Sequence, residues 1–241
     1  MSDDIKQLLK NLRLRKIAEI IDRELETARK NSPSYTDLIA RLLRAEWLDQ
    51  QQRRVQSRIK QSRIPELWSL ESFPFKKQSG VSRTQIRELG ELEFIPKAEN
   101  IVFIGEPGVG KTGLASGLLL KALQNGYRGV FIRAQDLFDD MYASIADRSS
   151  RKLINRLARM DLIVVDEMGY LNLRPEQTNI FFKLMEERYR KKATIITTNL
   201  EYDRWDSFLG NKELVTAMLS RLRHLCHTIH INGPSLRDPQ G

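Results

Sequence analysis

The spacing of apolar residues along the chain changes near residue 95. Before that point, apolar residues recur every three or four positions between charged ones, which is typical of amphipathic helices. One helix is expected over residues 4–30, with a slip in the spacing near Leu14, and a second helix ends at Pro65. Beyond residue 95, short aliphatic runs alternate with helical runs, which is the pattern of an α/β domain.

The alternating part predicts five strands separated by helices. The strands are expected at residues 101–104, 130–132, 162–165, 194–197 and 227–231. The helices are expected at residues 111–124, 134–146, 150–159, 175–190 and 212–222. Uninterrupted aliphatic strands such as residues 162–165 suit a parallel sheet that is buried on both faces. We therefore expect an α/β fold with a parallel five-stranded sheet between helices.

The same change in pattern predicts the domain organisation. Residues 1–64 are expected to form a small all-α domain, residues 65–95 a linker with a short helix, and residues 96–241 the α/β domain. The single cysteine, Cys226, excludes an internal disulfide and fits a reducing cytosol. No run of about 18 apolar residues occurs, so we expect no membrane span and a cytoplasmic protein. The three tryptophans are expected to be packing residues: Trp47, Trp68 and Trp205.

The charge of the chain indicates a partner. The net charge is +9 and the isoelectric point about 9.7, which points to a polyanion such as nucleic acid or an anionic membrane surface. Residues 1–64 contain 15 basic and 9 acidic residues. The second helix ends in five basic residues with no acid among them: Arg53, Arg54, Arg58, Lys60 and Arg63. We expect these to contact the phosphate backbone of duplex DNA, the alternative being a solvated helix face.

Residues 105–112 match the phosphate-binding pattern G-x-x-x-x-G-K-[ST] at every required position. They follow an aliphatic strand and open a helix, which is the context that the pattern requires. In such a loop, backbone N–H groups point at phosphate oxygens, the lysine reaches the β- and γ-phosphates, and the threonine hydroxyl ligates Mg²⁺. The nucleotide is therefore expected to bind at Gly105, Glu106, Pro107, Gly108, Val109, Gly110, Lys111 and Thr112.

An acidic pair follows the expected strand at residues 162–165. Asp166 and Glu167 would lie at the carboxyl end of the sheet, where ligands bind in α/β folds. We expect Asp166 to hold Mg²⁺ together with Thr112, and Glu167 to orient and deprotonate the attacking water. The sequence from Asp166 also fits the Asp-x-x-Gly of GTPases. Their guanine-reading element is incomplete here, because Leu214 cannot accept hydrogen bonds from guanine, so ATP is favoured.

A third strand ends in Asn199. Its amide could hydrogen-bond the γ-phosphate or the attacking water and so sense hydrolysis, whereas the alternative is an asparagine that caps a loop or helix. Beside the phosphate loop and the acidic pair, the sensor role is favoured. From these three motifs, the expected catalytic residues are Lys111, Asp166, Glu167 and Asn199.

In this order, these elements resemble an AAA+ ATPase, and more closely the DnaC/IstB group of helicase loaders and insertion-sequence helper ATPases. The resemblance covers nearly the whole chain and includes residues 220–222 and the tail at residues 233–237. It implies an AAA+ ATPase domain in the second part of the chain. It also implies that Arg221, or alternatively Arg223, reaches the site of a neighbouring subunit, and that Arg237 contacts the nucleotide of its own subunit.

The N-terminal half resembles the opening of IstB-type proteins. The matching residues are Leu12-Arg13-Leu14, Ser34-Tyr35, Leu42-Leu43, Glu46 and Arg53-Arg54. The resemblance implies a DNA-stimulated ATPase that oligomerises on duplex DNA, selects a target and activates a cognate transposase. A replicative helicase loader is the alternative within the group, and a nucleotide-gated DNA-binding scaffold is the alternative from another class.

Overall fold

The computed structural model describes residues 3–169, 171 and 173–237. The chain divides into two compact units, residues 1–57 and residues 58–241. This boundary lies within a single long helix and precedes the expected domain end at residue 64. The last turn of that helix belongs to the second unit, because Ile59 and the following Ile64 pack against its core.

The first unit is helical. Its elements are α1 (Asp3–Asn11), α2 (Arg15–Asn31) and the larger part of α3 (Tyr35–Ser62). The expectation of one helix over residues 4–30 was wrong. The slip in apolar spacing near Leu14 marks a break, where Arg13 takes a left-handed conformation with φ of 58°. The break turns α2 back so that Leu9, Ile17 and Ile21 share a small buried cluster.

A buried carboxylate fixes the start of α2. The side chain of Leu14, the residue before α2, makes no capping hydrogen bond to the helix. Instead, Glu46 of α3 accepts hydrogen bonds from the backbone N–H groups of Lys16 at 2.7 Å and Ile17 at 3.1 Å. Its other oxygen accepts from Gln50 at 3.1 Å and Arg53 at 3.2 Å. Glu46 is only 3% exposed, so these donors replace the water that it loses on folding.

The second unit is the α/β domain. After the end of α3, its helices are α4 (Arg83–Gly90), α5 (Lys111–Gln124), α6 (Ala134–Ala146), α7 (Ser150–Ala158), α8 (Pro175–Arg188), α9 (Trp205–Leu209) and α10 (Lys212–His224). Its strands are β1 (Asn100–Ile104), β2 (Gly129–Arg133), β3 (Leu162–Met168), β4 (Ala193–Thr198) and β5 (Cys226–His230). The strands pair in parallel in the order β2-β3-β4-β1-β5. The predicted parallel five-stranded sheet is confirmed.

Both faces of the sheet are buried, as the aliphatic strands predict. On one face, Ile101, Val164 and Ile195 pack with α5, and on the other face Val165 and Ile196 pack with the helices α6 to α10. The aliphatic residues of β1, β3 and β4 therefore alternate between two cores, whereas the edge strand β5 is mostly polar and buries only Ile229.

Residues 65–95 are not a linker. Their apolar side chains belong to the core on the α5 face of the sheet, and those that are buried include Phe73, Val81, Ile86, Leu89, Leu92 and Phe94. Phe73 and Phe94 are each 2% exposed. Full burial of one such side chain stabilises a fold by about 2–3 kcal/mol, so this segment is an integral layer of the α/β unit.

The strand order decides which loops meet. The strand β4 lies between β1 and β3, so the carboxyl ends of these three strands are neighbours. The chain segments that follow them are separated by many residues in sequence but reach the same edge of the sheet, where α/β folds bind ligands. Within the described residues, none of the helices is both long and apolar enough to cross a bilayer.

Candidate nucleotide-binding and catalytic site

A cavity of about 310 Å³ opens at this edge of the sheet. It brings together the end of the phosphate loop, the acidic pair and the asparagine that follows β4. Its lining includes Gly108, Gly110, Lys111, Thr112, Asp166, Glu167, Asn199 and Arg237. Three motifs that the sequence separates by tens of residues therefore share one concave site.

The phosphate loop is held from outside by two other segments. Gly108 and Gly110 have φ angles of 86° and 98°, which side chains with a β-carbon rarely adopt. A β-carbon at Gly108 would lie 2.4 Å from the Ser235 hydroxyl, and one at Gly110 would lie 2.6 Å from the Phe73 ring. The loop also accepts a hydrogen bond at the Gly108 carbonyl from the Leu236 N–H, at 2.9 Å. Both glycines are thus required by close packing as well as by backbone shape.

Lys111 begins α5 and lies within the loop. Its ammonium donates to the Gly105 carbonyl at 2.7 Å and to the Glu106 carbonyl at 2.8 Å. Burial lowers the pKa of Lys111, against the opposing effect of Asp166 and Glu106. The ammonium is therefore partly removed from water, which strengthens its attraction for an incoming anion.

Asp166 is the buried carboxylate of the site. It is 2% exposed and accepts from the Thr112 hydroxyl at 3.0 and 3.2 Å and from the Thr197 hydroxyl. Burial raises the pKa of Asp166, and neighbouring Glu167 adds to the rise, although both hydroxyls and Lys111 oppose it. The carboxylate thus lacks a full set of donors, unlike the buried glutamate of the helical unit.

Glu167 lies at an irregularity in β3. The pairing of β3 with β4 shifts register between Val165 and Met168, and Glu167 has a left-handed φ of 60°. Its N–H donates to the Thr197 hydroxyl at 2.9 Å, which holds this backbone in place. Bulges and left-handed residues re-aim a side chain. Here the bulge leaves the Glu167 side chain exposed at the cavity while Asp166 and Met168 stay buried.

Asn199 follows β4 and lines the cavity beside Glu167. Its side-chain oxygen is buried and has no hydrogen-bond partner within the described part of the chain. Burial without a partner costs about 1–3 kcal/mol for such a group. Asn199 does not serve as a helix cap, because the next helical turn, a short 3-10 helix at Tyr202–Arg204, has Glu201 at its N-cap.

The arginines expected at the site have different positions. Arg237 lies on the cavity wall, where its positive charge contributes to the lowered pKa of Lys111. Arg221 lies elsewhere, exposed on α10, where it pairs with Glu186 at 3.4 Å. Arg223, the alternative, lies over the Tyr202 ring with 5.0 Å between its guanidinium carbon and the ring centroid. Neither Arg221 nor Arg223 lines the cavity of its own chain.

Three of the cavity residues that the sequence interpretation missed lie beside the predicted motifs in space. Arg133 ends β2 and pairs in register with Asp166, so only the strand order reveals its position. Thr197 contacts both acids from the neighbouring strand. Trp68 packs on α5 so closely that a β-carbon at Gly113 would lie 2.5 Å from its ring. It is a packing residue, as expected, but it also forms a cavity wall.

The other two tryptophans differ from each other. Trp205 is fully buried in the core, as expected, and its indole N–H lies 3.4 Å from the Leu200 carbonyl. Trp47 is 58% exposed on α3. The expectation that Trp47 packs was wrong in the described structure, because α3 carries apolar residues around most of its circumference and cannot bury all of them.

The five basic residues at the end of α3 also have different surroundings. Arg53 is paired with Asp49 at 2.7 Å and with Glu46 at 3.2 Å. Although no acid lies between Arg53 and Arg63 in the sequence, Arg53 is therefore paired with acids that precede it in α3. Arg54 and Lys60 are exposed, and they have no ion-pair partner among the described residues. Arg58 and Arg63 line a second cavity, described below.

The oxygen donors fit a magnesium ion better than a softer metal. Thr112 and Asp166 supply hard oxygen ligands within hydrogen-bond distance of each other. No cluster of three or more histidines, cysteines or acids that could hold a metal by itself exists in the described ranges. Magnesium suits such a partial site, because it commonly shares its coordination between one or two protein groups and substrate phosphates.

Comparison with known proteins identifies the family. The family model described as IstB-like ATP binding protein matches residues 7–240. The chain belongs to this family. It is 34% identical over 234 residues to an ATP-binding protein of insertion sequence IS21 from Pseudomonas aeruginosa, covering 97% of this chain and 88% of the relative. It is also 34% identical over 237 residues to the IS5376 ATP-binding protein of Geobacillus stearothermophilus, covering 98% and 94%.

The fold of this IstB-like chain is that of AAA+ P-loop proteins. The solved structure of DnaI matches with a TM-score of 0.59 over 68% of this chain and 91% of that chain, at 18% identity. At this identity the likeness concerns the fold alone. The expected AAA+ fold class and the resemblance to the DnaC/IstB group are both confirmed.

Proposed function

We propose that this IstB-like protein hydrolyses ATP to ADP and phosphate, is stimulated by duplex DNA and assists transposition. The observation that carries the proposal is the convergence of Lys111, the Thr112–Asp166 pair, Glu167 and Asn199 on one cavity. Relatives that match nearly the whole chain are described as ATP-binding proteins of insertion sequences, which supports the role in transposition.

The triphosphate would bind along the loop at residues 105–112. The N–H groups of the loop and the positive end of α5 attract phosphate oxygens. The Lys111 ammonium already lies in the loop and would exchange its carbonyl partners at Gly105 and Glu106 for β- and γ-phosphate oxygens. Arg237 and Arg133 on the wall add positive charge toward the phosphates.

Hydrolysis requires a positioned water and a proton acceptor. Glu167 would accept the proton as the water oxygen bonds to the γ-phosphorus, while the bond from that phosphorus to the bridging oxygen breaks and ADP leaves. The bulge of β3 gives the exposed carboxylate access to the cavity. Asn199 would orient the water or the γ-phosphate through its amide, which explains a buried oxygen without a partner.

Thr112 and Asp166 are the residues that would hold Mg²⁺ in this site. The ion supplies neutralisation of the negative charge that develops on the phosphate oxygens. The Thr197 hydroxyl positions Asp166 and the Glu167 backbone together, so the metal-binding group and the base are set by one side chain.

One part of the cavity lining suits a purine base and ribose. This part consists of Pro65, Glu66 and Trp68, with Gly113 and Ser116 of α5. The Ser116 hydroxyl is buried and has no partner in the described residues. A flat aromatic wall and an unsatisfied hydroxyl are groups that a nucleoside would engage.

Assembly would complete the site. Arg221 is exposed on α10 and outside its own cavity, as an arginine that reaches a neighbouring subunit must be. An isolated subunit would then lack one positive charge at the transition state, and hydrolysis would depend on oligomerisation. The basic surplus of the chain suits duplex DNA as the surface on which copies assemble, with a cognate transposase as the downstream partner.

The test is ATP turnover of the purified chain with and without duplex DNA, at several protein concentrations and salt concentrations. We expect stimulation that rises cooperatively with protein concentration and weakens with salt. Turnover that ignores DNA and rises linearly with protein concentration would contradict the oligomeric DNA-dependent ATPase.

Two variants separate binding from chemistry. Lys111→Ala is expected to abolish ATP binding, whereas Glu167→Gln is expected to retain binding and lose turnover. If Glu167→Gln still supports transposition in a cell-based assay, ATP binding alone suffices and the nucleotide-gated scaffold replaces the hydrolytic mechanism.

A further inference from the structure

A second cavity, of about 210 Å³, lies in the α/β unit and is not used by the proposed mechanism. Four arginines from three separate chain segments surround it, and we call it the arginine cleft. Its arginines are Arg58, Arg63, Arg128 and Arg156, and Asp140 is the acidic residue in its lining.

The floor of the arginine cleft is the open edge of the sheet. The strand β2 is one of the two edge strands, and its residues Gly129, Val130 and Ile132 line the cavity. Leu157, near the end of α7, and Met160, just after it, complete an apolar base. Four guanidiniums around such a base place a concentrated positive charge beside the strand, which attracts an anion.

The guanidiniums are only weakly engaged within the protein. Arg156 lies 3.7 Å from Asp140, with both side chains more than half exposed. Arg63 has no ion-pair partner among the residues that the structure describes. Exposed ion pairs of this length contribute about 0–1 kcal/mol, so an incoming phosphate can replace them.

Two contacts pre-order the cleft without neutralising it. The Arg58 Nε donates to the Leu123 carbonyl at 2.9 Å, which fixes that side chain at the cavity. Asp161 accepts from the Arg128 N–H at 2.9 Å and from Lys192 at 2.6 Å, whereas its contact with the Arg128 guanidinium is 3.5 Å. Asp161 therefore directs its oxygens mainly at other donors.

We propose that the arginine cleft binds phosphates of a nucleic acid backbone. The inference rests on the proposed DNA-binding function and names the surface of the α/β unit that would contact the DNA. Guanidiniums form bidentate hydrogen bonds with phosphate, and a group that lies on several chain segments can follow a backbone without reading its sequence. A polyanion is favoured over an acidic peptide because the whole chain, not only this cleft, carries a surplus of +9.

The test compares the double variant Arg63→Ala/Arg156→Ala with a matched control, Arg87→Ala/Arg204→Ala. The control removes two exposed arginines that do not line the cleft. The affinity for a fluorescent 30-base-pair duplex is measured by anisotropy over a series of salt concentrations. The cleft variant should bind about tenfold or more weakly, and its slope of log affinity against log salt should fall by about 2. The control should stay within about twofold.

The outcomes are distinguishable. If the wild-type chain binds duplex but the cleft variant binds equally well with an unchanged salt slope, the inference is wrong and the proposed function stands. If the wild-type chain binds no duplex, the DNA-binding part of the proposed function fails as well. Loss of polyglutamate binding with DNA binding intact would assign the cleft to an acidic peptide instead.

Two further measurements keep the test independent of folding. Thermal unfolding and ATP binding should match the wild type in both variants, because the mutated side chains are exposed and lie outside the nucleotide cavity. If the double variant does not fold, a photo-crosslinking residue at position 63 replaces it. Crosslinks to duplex DNA from position 63, and none from position 87, would support the cleft, and the reverse would overturn it.

Discussion

The helical unit and the α/β unit each bury a carboxylate, but the two environments shift the pKa of that carboxylate in opposite directions. Burial by itself raises the pKa of Glu46, yet hydrogen bonds from Ile17, Gln50 and Lys16 and the charge of Arg53 outweigh it and hold that pKa below its usual value. At Asp166, burial and the charge of a neighbouring acid prevail, and the pKa rises.

The difference separates a carboxylate whose hydrogen bonds compensate its burial from one whose burial is under-compensated, and we propose a catalytic role for the second. Glu46 has enough donors to compensate for lost water, and it fixes the start of α2. Asp166 has two hydroxyl donors and a second carboxylate beside it, so its negative charge is under-compensated. A bound cation would supply the missing compensation, which is the role proposed for Mg²⁺.

The largest effect is expected from Asp166→Asn. ATP turnover should fall about 100-fold or more, because a magnesium ligand and the electrostatic stabilisation that depends on it are lost. The melting temperature without nucleotide should stay equal or rise, since the amide removes a buried charge and can still accept from both hydroxyls. Phosphate release and thermal unfolding check these results, with Glu187→Gln as the exposed control. A clearly lower melting temperature would make Asp166 structural.

Glu46→Ala is expected to lower stability and leave ATP turnover unchanged. The helical unit should lose about 2 kcal/mol, because buried N–H groups at Lys16 and Ile17 lose their acceptor. Amide hydrogen exchange would show faster exchange in α2 and unchanged exchange in β3. DNA-independent ATP turnover should be unaffected. Glu26→Ala, at an exposed position of α2, serves as the control, and equal exchange in both variants would refute the role of Glu46.

Acid pH should affect the two carboxylates with opposite signs. The pKa of Glu46 is lower in the folded state, so its contribution is fully present above the unfolded value of 4.5 and is lost as the pH falls below it. The pKa of Asp166 is raised, so protonation on acidification relieves a cost of burial. Methyl signals of Ile17 and Ile196, followed through urea unfolding at several pH values, should show the helical unit weakening first. Simultaneous weakening would count against this distinction.

The smallest effect is expected from Arg53→Met. Arg53 is one of several donors to Glu46, and it is about one-third exposed, so its loss should cost only about 0.5–1 kcal/mol. Arg54→Met, at the adjacent exposed position, should be neutral. Urea unfolding of the two variants checks the difference. If both variants weaken DNA binding without changing stability, the basic end of α3 acts on phosphates as first expected, and Arg53 belongs to that surface.

Much of the nucleotide site was predictable because its motifs are local. The phosphate loop needs glycines, a lysine and a threonine at fixed spacing, and the acids must follow a buried strand. Each of these requirements is a short-range property of the chain. The same holds for the sheet, since an uninterrupted aliphatic strand is stable only where both faces are covered.

Other residues of the site could not be predicted from the sequence, because their positions depend on which chain segments come together in the fold. Arg133 and Thr197 reach the site only through the strand order, and Trp68 reaches it only because residues 65–95 fold onto α5. That segment looked like a linker since its apolar residues follow no single period. Its side chains fill gaps in an existing surface, and no periodicity is needed for that.

The sequence by itself determined which side chains are available for the proposed chemistry, because phosphate binding and proton transfer require particular side chains at particular spacings. Tertiary structure alone decided the state of each charged group. It gave Glu46 a full set of donors and Asp166 a partial one, and it gathered distant arginines beside the edge strand. Charge and hydrogen bonding depend on neighbours in space, and those neighbours are set by packing.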